Sequence, residues 1–225
     1  MAITIDANSS SGAQAAVTSF SWNHTVGGDG ISTVLVVAVG SGDDTNYYSP
    51  SGITFDGVAL TQINSTGRTD TALQVDLWYL KKPHIGTHAI EVTMDGSCDH
   101  AVGYGMSLVG VEQGTGCVNA EAVDTSISSD SPSASITTTV NNCFIVDVVV
   151  IAVNTDFDPG AGQTGVYAVN IATSGDLLRC ENSYKPLASA GATTMSWAQN
   201  GRGGLAAAAF APGNAGGGAF LFNMI

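Results

Sequence analysis

Few side chains in this 225-residue sequence are able to act as bases, nucleophiles or ligands: four histidines, four cysteines, 15 Asp, four Glu and scattered hydroxyls. His84 and His88 have the i, i+4 spacing that sets two metal ligands on one helix face. Pro83 and Gly86 make the segment a turn instead, so the two imidazoles are expected to diverge. His24 alternates with Trp22 and Phe20, the pattern of a packed strand residue, and His100 stands beside Asp99 in a stretch that reads as a polar loop. Ser107, in Gly105-Met106-Ser107-Leu108-Val109, falls one residue short of a nucleophile elbow. It sits mid-strand, where that motif needs a sharp strand-to-helix turn. Glycoside hydrolysis needs two facing carboxylates, yet Glu91, Glu112, Glu121 and Glu181 each stand without a second acid on the same strand face. No catalytic constellation results, and the chain is expected not to be an enzyme.

Ligand motifs fare little better. Gly160-Ala161-Gly162-Gln163-Thr164-Gly165 matches the dinucleotide fingerprint letter for letter. It follows Asp158-Pro159 and leads into a strand pattern, where the motif requires a strand before it and a helix N-terminus after it, so it reads as a loop. Asp43-Asp44, and Asp156 with Asp158, cluster oxygen donors of the kind Ca²⁺ uses, without EF-hand spacing. Calcium is therefore the one cofactor with any support, and solvated loop acids are the simpler account. Cys98, Cys117, Cys143 and Cys180 are widely spaced and form no CxxC pair, which disfavours zinc or a redox motif. They are expected as free, buried thiols. Tyr47, Tyr48 and Trp78 are candidates for a sugar-stacking surface.

Two periodicities locate the elements that position these groups. Leu73, Val75, Leu77 and Tyr79 share one face of a strand, as do Ile90, Val92 and Met94, and Val102, Tyr104, Met106 and Leu108. Segments 33–39 and 143–152 are nearly unbroken β-branched runs, the pattern of strands buried on both faces. Asp56-Gly57, between two apolar triplets, is a two-residue hairpin signal. The expected fold is all-β, an antiparallel two-sheet sandwich of jelly-roll type over residues 1–212. A weak repeat suggests two similar halves, 1–124 and 136–212, joined by the serine-rich segment 125–135. Tyr79-Leu80-Lys81-Lys82-Pro83 with Gly86, and Tyr184-Lys185-Pro186 with Gly191, share their Tyr-to-Gly spacing, and Ile90 and Met195 each lie four residues beyond the Gly. Residues 213–218 form a Gly-rich tether. The apolar arm beyond it, with Phe220, Leu221, Phe222, Met224 and Ile225, is the candidate partner-binding segment, docking on a neighbour or folding back as a last strand.

Composition agrees with strands and turns. Hydrophobic residues make up 44% and charged residues only 11%, with 28 Gly and few Glu, Lys or Arg to favour helices. A net charge of −13 with six basic residues argues against tracking a phosphate backbone. No bilayer-spanning apolar stretch is present, and Met1-Ala2-Ile3-Thr4-Ile5-Asp6 lacks the basic start of a secretion signal. Neither nucleic acid nor membrane is an expected partner.

Three stretches carry a resemblance: Ser21-Trp22-Asn23-His24-Thr25-Val26 leading into Val34-Leu35-Val36-Val37-Ala38-Val39; Ile53-Thr54-Phe55-Asp56-Gly57-Val58-Ala59-Leu60-Thr61; and Leu77-Trp78-Tyr79-Leu80-Lys81-Lys82-Pro83, then Gly86-Thr87 and Ile90-Glu91-Val92. Together they resemble a β-sandwich module of bacterial surface proteins and phage virion proteins. The resemblance implies no catalytic residue. It implies a sandwich fold, and, for a chain read as starting at Met1 without an export signal, a virion location. The implied function is that of a structural virion protein, a capsid decoration (cement) or fibre-type subunit. Its expected partners are other virion proteins, major capsid or tail subunits, and further copies of itself. A carbohydrate-binding surface module is the alternative.

Overall fold

The computed structural model describes residues 2–43, 46, 48–65, 73–125, 131–153, 155–171 and 178–213. Within them the chain is all-β and antiparallel, as its alternation predicts, with fifteen strands and no helix. The first eight are β1 (Thr4–Ser10), β2 (Gln14–Val26), β3 (Val34–Gly42), β4 (Pro50–Phe55), β5 (Val58–Ala59), β6 (Thr61–Ser65), β7 (Leu73–Lys81) and β8 (Gly86–Val109). The remaining seven are β9 (Val118–Asp124), β10 (Ser133–Thr138), β11 (Phe144–Ile151), β12 (Thr164–Asn170), β13 (Arg179–Pro186), β14 (Gly191–Ser196) and β15 (Gly203–Phe210).

Two large sheets pack face to face. The first runs β1-β8-β3-β7-β6 and the second β9-β15-β11-β13-β12. The β-branched runs become their central strands β3 and β11, buried at every position. Alternation then supplies two apolar faces to each sheet. One face of each meets the other sheet, through Val34, Val36, Leu77 and Tyr104 on one side and Val146, Val148, Cys180 and Phe210 on the other. The opposite faces are covered by outer layers: β2, β4 and the first part of β8 over Leu35, Val37 and Trp78, and the pair β10-β14 over Ile145, Val149 and Leu205. Burying each such large side chain contributes about 1.5–3 kcal/mol.

β8 joins layers in a way that alternation alone does not reveal. The sequence pattern marks 90–94 and 102–108 as separate strands, whereas one 24-residue strand spans both, pairing first with β2 and β4 and then with β3 and β1. His100 consequently lies within this strand and is buried, not in a loop. Likewise Thr18, expected by its spacing of two on the face of Phe20, Trp22 and His24, is turned out to solvent by a register shift between Val17 and Ser19.

The two sheets are built alike. Their strand orders match position for position, and both carry two irregularities at equivalent places. Ile5 and Val118 each precede a bulge in one edge strand, and Gln62 and Gly165 each precede one in the opposite edge strand. Tyr79 pairs with Val36 as Tyr184 pairs with Val146, which aligns Phe144 with Val34 and Phe210 with Leu108. β9 belongs to the second sheet, so the chain crosses between the sets of strands at residues 110–117, ahead of the serine-rich stretch.

Candidate functional site

Three polar clusters come closest to chemistry, and each is assembled by strand pairing across long sequence separations. In the first, β2 delivers His24 and Trp22, β1 delivers Asp6 and Ser9, and β8 delivers Ser107. The Trp22 indole donates to Ser9 Oγ at 2.9 Å, Ser9 Oγ meets His24 Nδ1 at 2.7 Å, His24 Nε2 meets Ser107 Oγ at 3.3 Å, and Ser107 donates to Asp6 Oδ2 at 2.8 Å. An indole only donates and a carboxylate only accepts, so the chain of bonds runs one way and fixes His24 as the neutral tautomer protonated on Nε2. Burial pushes the imidazole pKa down to about 4, against the pull of Asp6. Ser, His and Asp are all present, but the acid holds the serine and a second serine occupies the other imidazole nitrogen, unlike an activated nucleophile whose acid orients the base. Ser107 and His24 are 0% and 1% exposed, out of reach of any substrate. The cluster ties β1, β2 and β8 together.

The second cluster surrounds Asp147, on β11. Its carboxylate accepts from Ser183 N (2.8 Å), Ser183 Oγ (2.6 Å), Trp197 Nε1 (3.0 Å) and Gln163 Nε2 (3.3 Å). It is fully buried, and burial outweighs these donors, pushing its pKa up to about 7. Gln163 comes from the fingerprint-like stretch, whose role thereby becomes plain. Gly160 lets that loop approach β14 so closely that a Cβ there would stand 2.3 Å from Ser196 Oγ, while Gln163 Oε1 accepts from Ser196 N at 2.8 Å. Asp147 is absent from the candidates read off the sequence, though an acid inside a β-branched run is itself the signal of a buried carboxylate.

The third is Asp56 at the β4–β5 turn, where the two histidines converge instead of diverging. His84 Nδ1 lies 2.6 Å and His88 Nδ1 3.2 Å from the two oxygens of Asp56, whose pKa is lowered chiefly by the His84 bond. The turn folds the Asp56 side chain over the 83–86 loop, a cross-strand approach that their spacing alone does not disclose. Among the described residues no group of three or more His, Cys, Asp or Glu is arranged to hold a metal.

The other candidates are dispersed. Asp156 pairs with Arg179 at 2.6 Å, and Arg179 also bonds buried Glu181, whose pKa is raised by burial. Asp43 Oδ1 accepts from Asn46 N at 2.9 Å; Asp44 lies outside the described residues. Trp78 is buried in the outer core of the first sheet, which corrects its candidacy as a sugar platform. Tyr48 packs against Gly96 and that same core, and Tyr47 lies outside the described residues. Glu91 is exposed on the outward face of β8, Glu121 lines a shallow groove between β6 and β9, and Glu112 caps the turn at Gly114 N (2.8 Å). All four cysteines are free and buried, as expected. Phe220, Leu221, Phe222, Met224 and Ile225 lie outside the described residues.

A groove of about 310 Å³ opens between the start of β1, the start of β11 and the end of β13, walled by Ile3, Phe144, Pro186 and Leu187. Around the same end of the molecule Ile31, Ile85 and Val140 are exposed. Compared with family models, curated proteins and solved structures, the chain matches none.

Proposed function

We propose that this chain is a structural virion protein, a capsid decoration (cement) or fibre-type subunit that attaches to other virion subunits and performs no catalysis. One observation carries the attachment reading. The groups able to do chemistry are spent on internal bonds that lock strands together, while Ile31, Ile85 and Val140 stay exposed at the end that carries Gly213, the last described residue. Exposed apolar clusters of this kind mark interaction surfaces. The virion setting rests on the resemblance of the Ser21–Val39, Ile53–Thr61 and Leu77–Val92 stretches to phage β-sandwich modules. The C-terminal residues Phe220, Leu221, Phe222, Met224 and Ile225 supply a further apolar attachment element.

The test is cofractionation. Particles purified through a density gradient should retain the protein at a fixed ratio to the capsid subunit, and stripped particles should rebind it. Absence from purified particles, together with selective binding on a glycan array, would replace this reading with a carbohydrate-binding module. Burial of Trp78 leaves that alternative without its largest aromatic candidate.

A further inference from the structure

The likeness of the two sheets shows what the groove at Ile3 lacks. By the alignment of Phe144 with Val34, its walls at 142–144 and 186–188 correspond to 32–34 and 81–83 in the first half. That counterpart is covered by the crossing segment. Val111 N donates to Ser32 O (2.9 Å), Gln113 Nε2 to Thr33 O (3.3 Å), and Lys81 Nζ to Gly114 O (3.4 Å). No described residue lies over the groove in this way. Yet the last described residue stands at its rim: Gly213 N donates to Gly110 O (2.7 Å), and Gly110 packs so tightly on Ala2 O that a Cβ would stand 2.8 Å from it.

Resting on the attachment reading above, we propose that this groove receives the C-terminal arm, residues 219–225, of a second copy of the chain, two copies exchanging arms reciprocally. The register separates this from filling by the chain's own arm. Residues 213–216 correspond to 111–114, and Gly213, Asn214, Ala215 and Gly216 carry no side chain able to fill an apolar groove. Phe220 corresponds to Val118, the start of β9, and the matching edge of the first sheet is already held by Ile5 of β1. An arm that followed the path of the crossing segment would carry these apolar residues past its own groove. Val140, whose carbonyl accepts from Cys143 Sγ (3.3 Å) at the groove wall, is 41% exposed, and Ile31, next to the Ser32 that bonds Gly110 N, is 72% exposed. A same-chain arm leaves both in water, whereas a second copy seated end to end covers them. With Gly213 and the groove at one end, the contact is isologous and closes at two copies.

Two full-length variants separate the halves of the exchange: Leu187→Asp blocks the groove, and Phe220→Asp with Phe222→Asp blocks the arm. Sedimentation equilibrium should show a dimer for the native chain and at least tenfold weaker association for each variant alone, with unchanged far-UV circular dichroism. Mixing the two variants should restore a 1:1 heterodimer, since one intact arm meets one intact groove. A monomeric native chain, variants that stay dimeric, or a mixture that stays monomeric overturns the proposal. Should Leu187→Asp misfold, Ala188→Arg at the exposed lip serves the same purpose. The measurement involves no particle, so its outcome is independent of the virion reading.

Discussion

Replacing Asp147 by Asn should lower stability at pH 5 and do so much less at pH 8.5. The carboxylate is fully buried and its pKa is raised from an ordinary 3.8 to about 7. A raised acid pKa means that the unfolded chain releases this proton first, so the group's effect on folding worsens as pH climbs from 3.8 to about 7 and is level above that. At about 1.4 kcal/mol for each pH unit, the whole interval is worth roughly 4 kcal/mol, of which about 2–3 falls between pH 5 and 8.5. Asparagine does not ionise, so the variant escapes this loss. It has its own cost, because its amide N–H₂ must face the Trp197 indole or the Ser183 N–H, leaving a buried donor unmatched at about 1–3 kcal/mol. The difference between the native protein and Asp147→Asn should therefore shift by about 2–3 kcal/mol in favour of the variant across that range. Urea titrations followed by tryptophan fluorescence at both pH values measure it, and subtraction removes the titration of the other 18 acids. A difference that stays constant with pH would refute the reasoning, showing that the four donors outweigh burial and hold Asp147 ionised throughout.

His24 works in the opposite direction. Its pKa of about 4 lies below the ordinary 6.5, so stability should fall as pH drops through that window, by up to about 3 kcal/mol; the native protein's two effects partly cancel between pH 4 and 6.5, so His24→Gln should gain on the native protein in urea titrations as pH falls through that window, its stability rising where the native protein's stays nearly level. Cys98 and Cys117, with thiols pushed up to about 11 by burial, and the buried Cys143 and Cys180 should react with a thiol reagent only after unfolding; rapid labelling of the native protein counts against the packing described. Gly40→Ala places a Cβ 2.3 Å from Cys180 Sγ across the sheet–sheet core. It should cost about 1–3 kcal/mol by overpacking, and Cys180→Ala in the same chain should recover most of that in urea titrations; a neutral single variant would show a looser interface.

How much the sequence revealed depended on the range of each cause. Strands came from alternation, a property of neighbouring residues, and Leu73 to Tyr79 and Ile90 to Met94 lie on the faces their spacing predicts. Asp56 and Gly57 both adopt positive φ, 50° and 74°, as their hairpin signal requires. What escaped was set by pairing at a distance. His24 and Ser107 are 83 residues apart, and Asp6 lies 101 from Ser107, so no local pattern could join them. The convergence of His84 and His88 is hidden for the same reason: it is created by Asp56, 28 residues upstream of His84. The continuity of β8 does not show in the separate alternations of 90–94 and 102–108; between them Gly96 serves to seat the Tyr48 ring.

Likeness between the halves also shows where the chain has departed from symmetry, and the departures are what leave surfaces unequal. Tyr104 and Ala206 are equivalent by register, facing Ala38 and Val148 respectively. On the Tyr104 side the space between sheets is filled by that ring, stacked on Tyr167 at 5.8 Å and donating to Cys180 O at 2.7 Å. On the Ala206 side small residues bring β15 close to β7, and Asn64 reaches across to Ala207 O at 3.0 Å. The buried polar pair on the outward face differs as well: Gln74 and Asp76 in β7 answer to Arg179 and Glu181 in β13. Each half has thus settled its own core with different side chains on one strand order. The crossing segment breaks the symmetry most, since a single chain crosses from the first half to the second only once. It covers one end-groove, whereas no described residue covers the counterpart in the same way, and an apolar recess at Ile3 and Phe144 survives there.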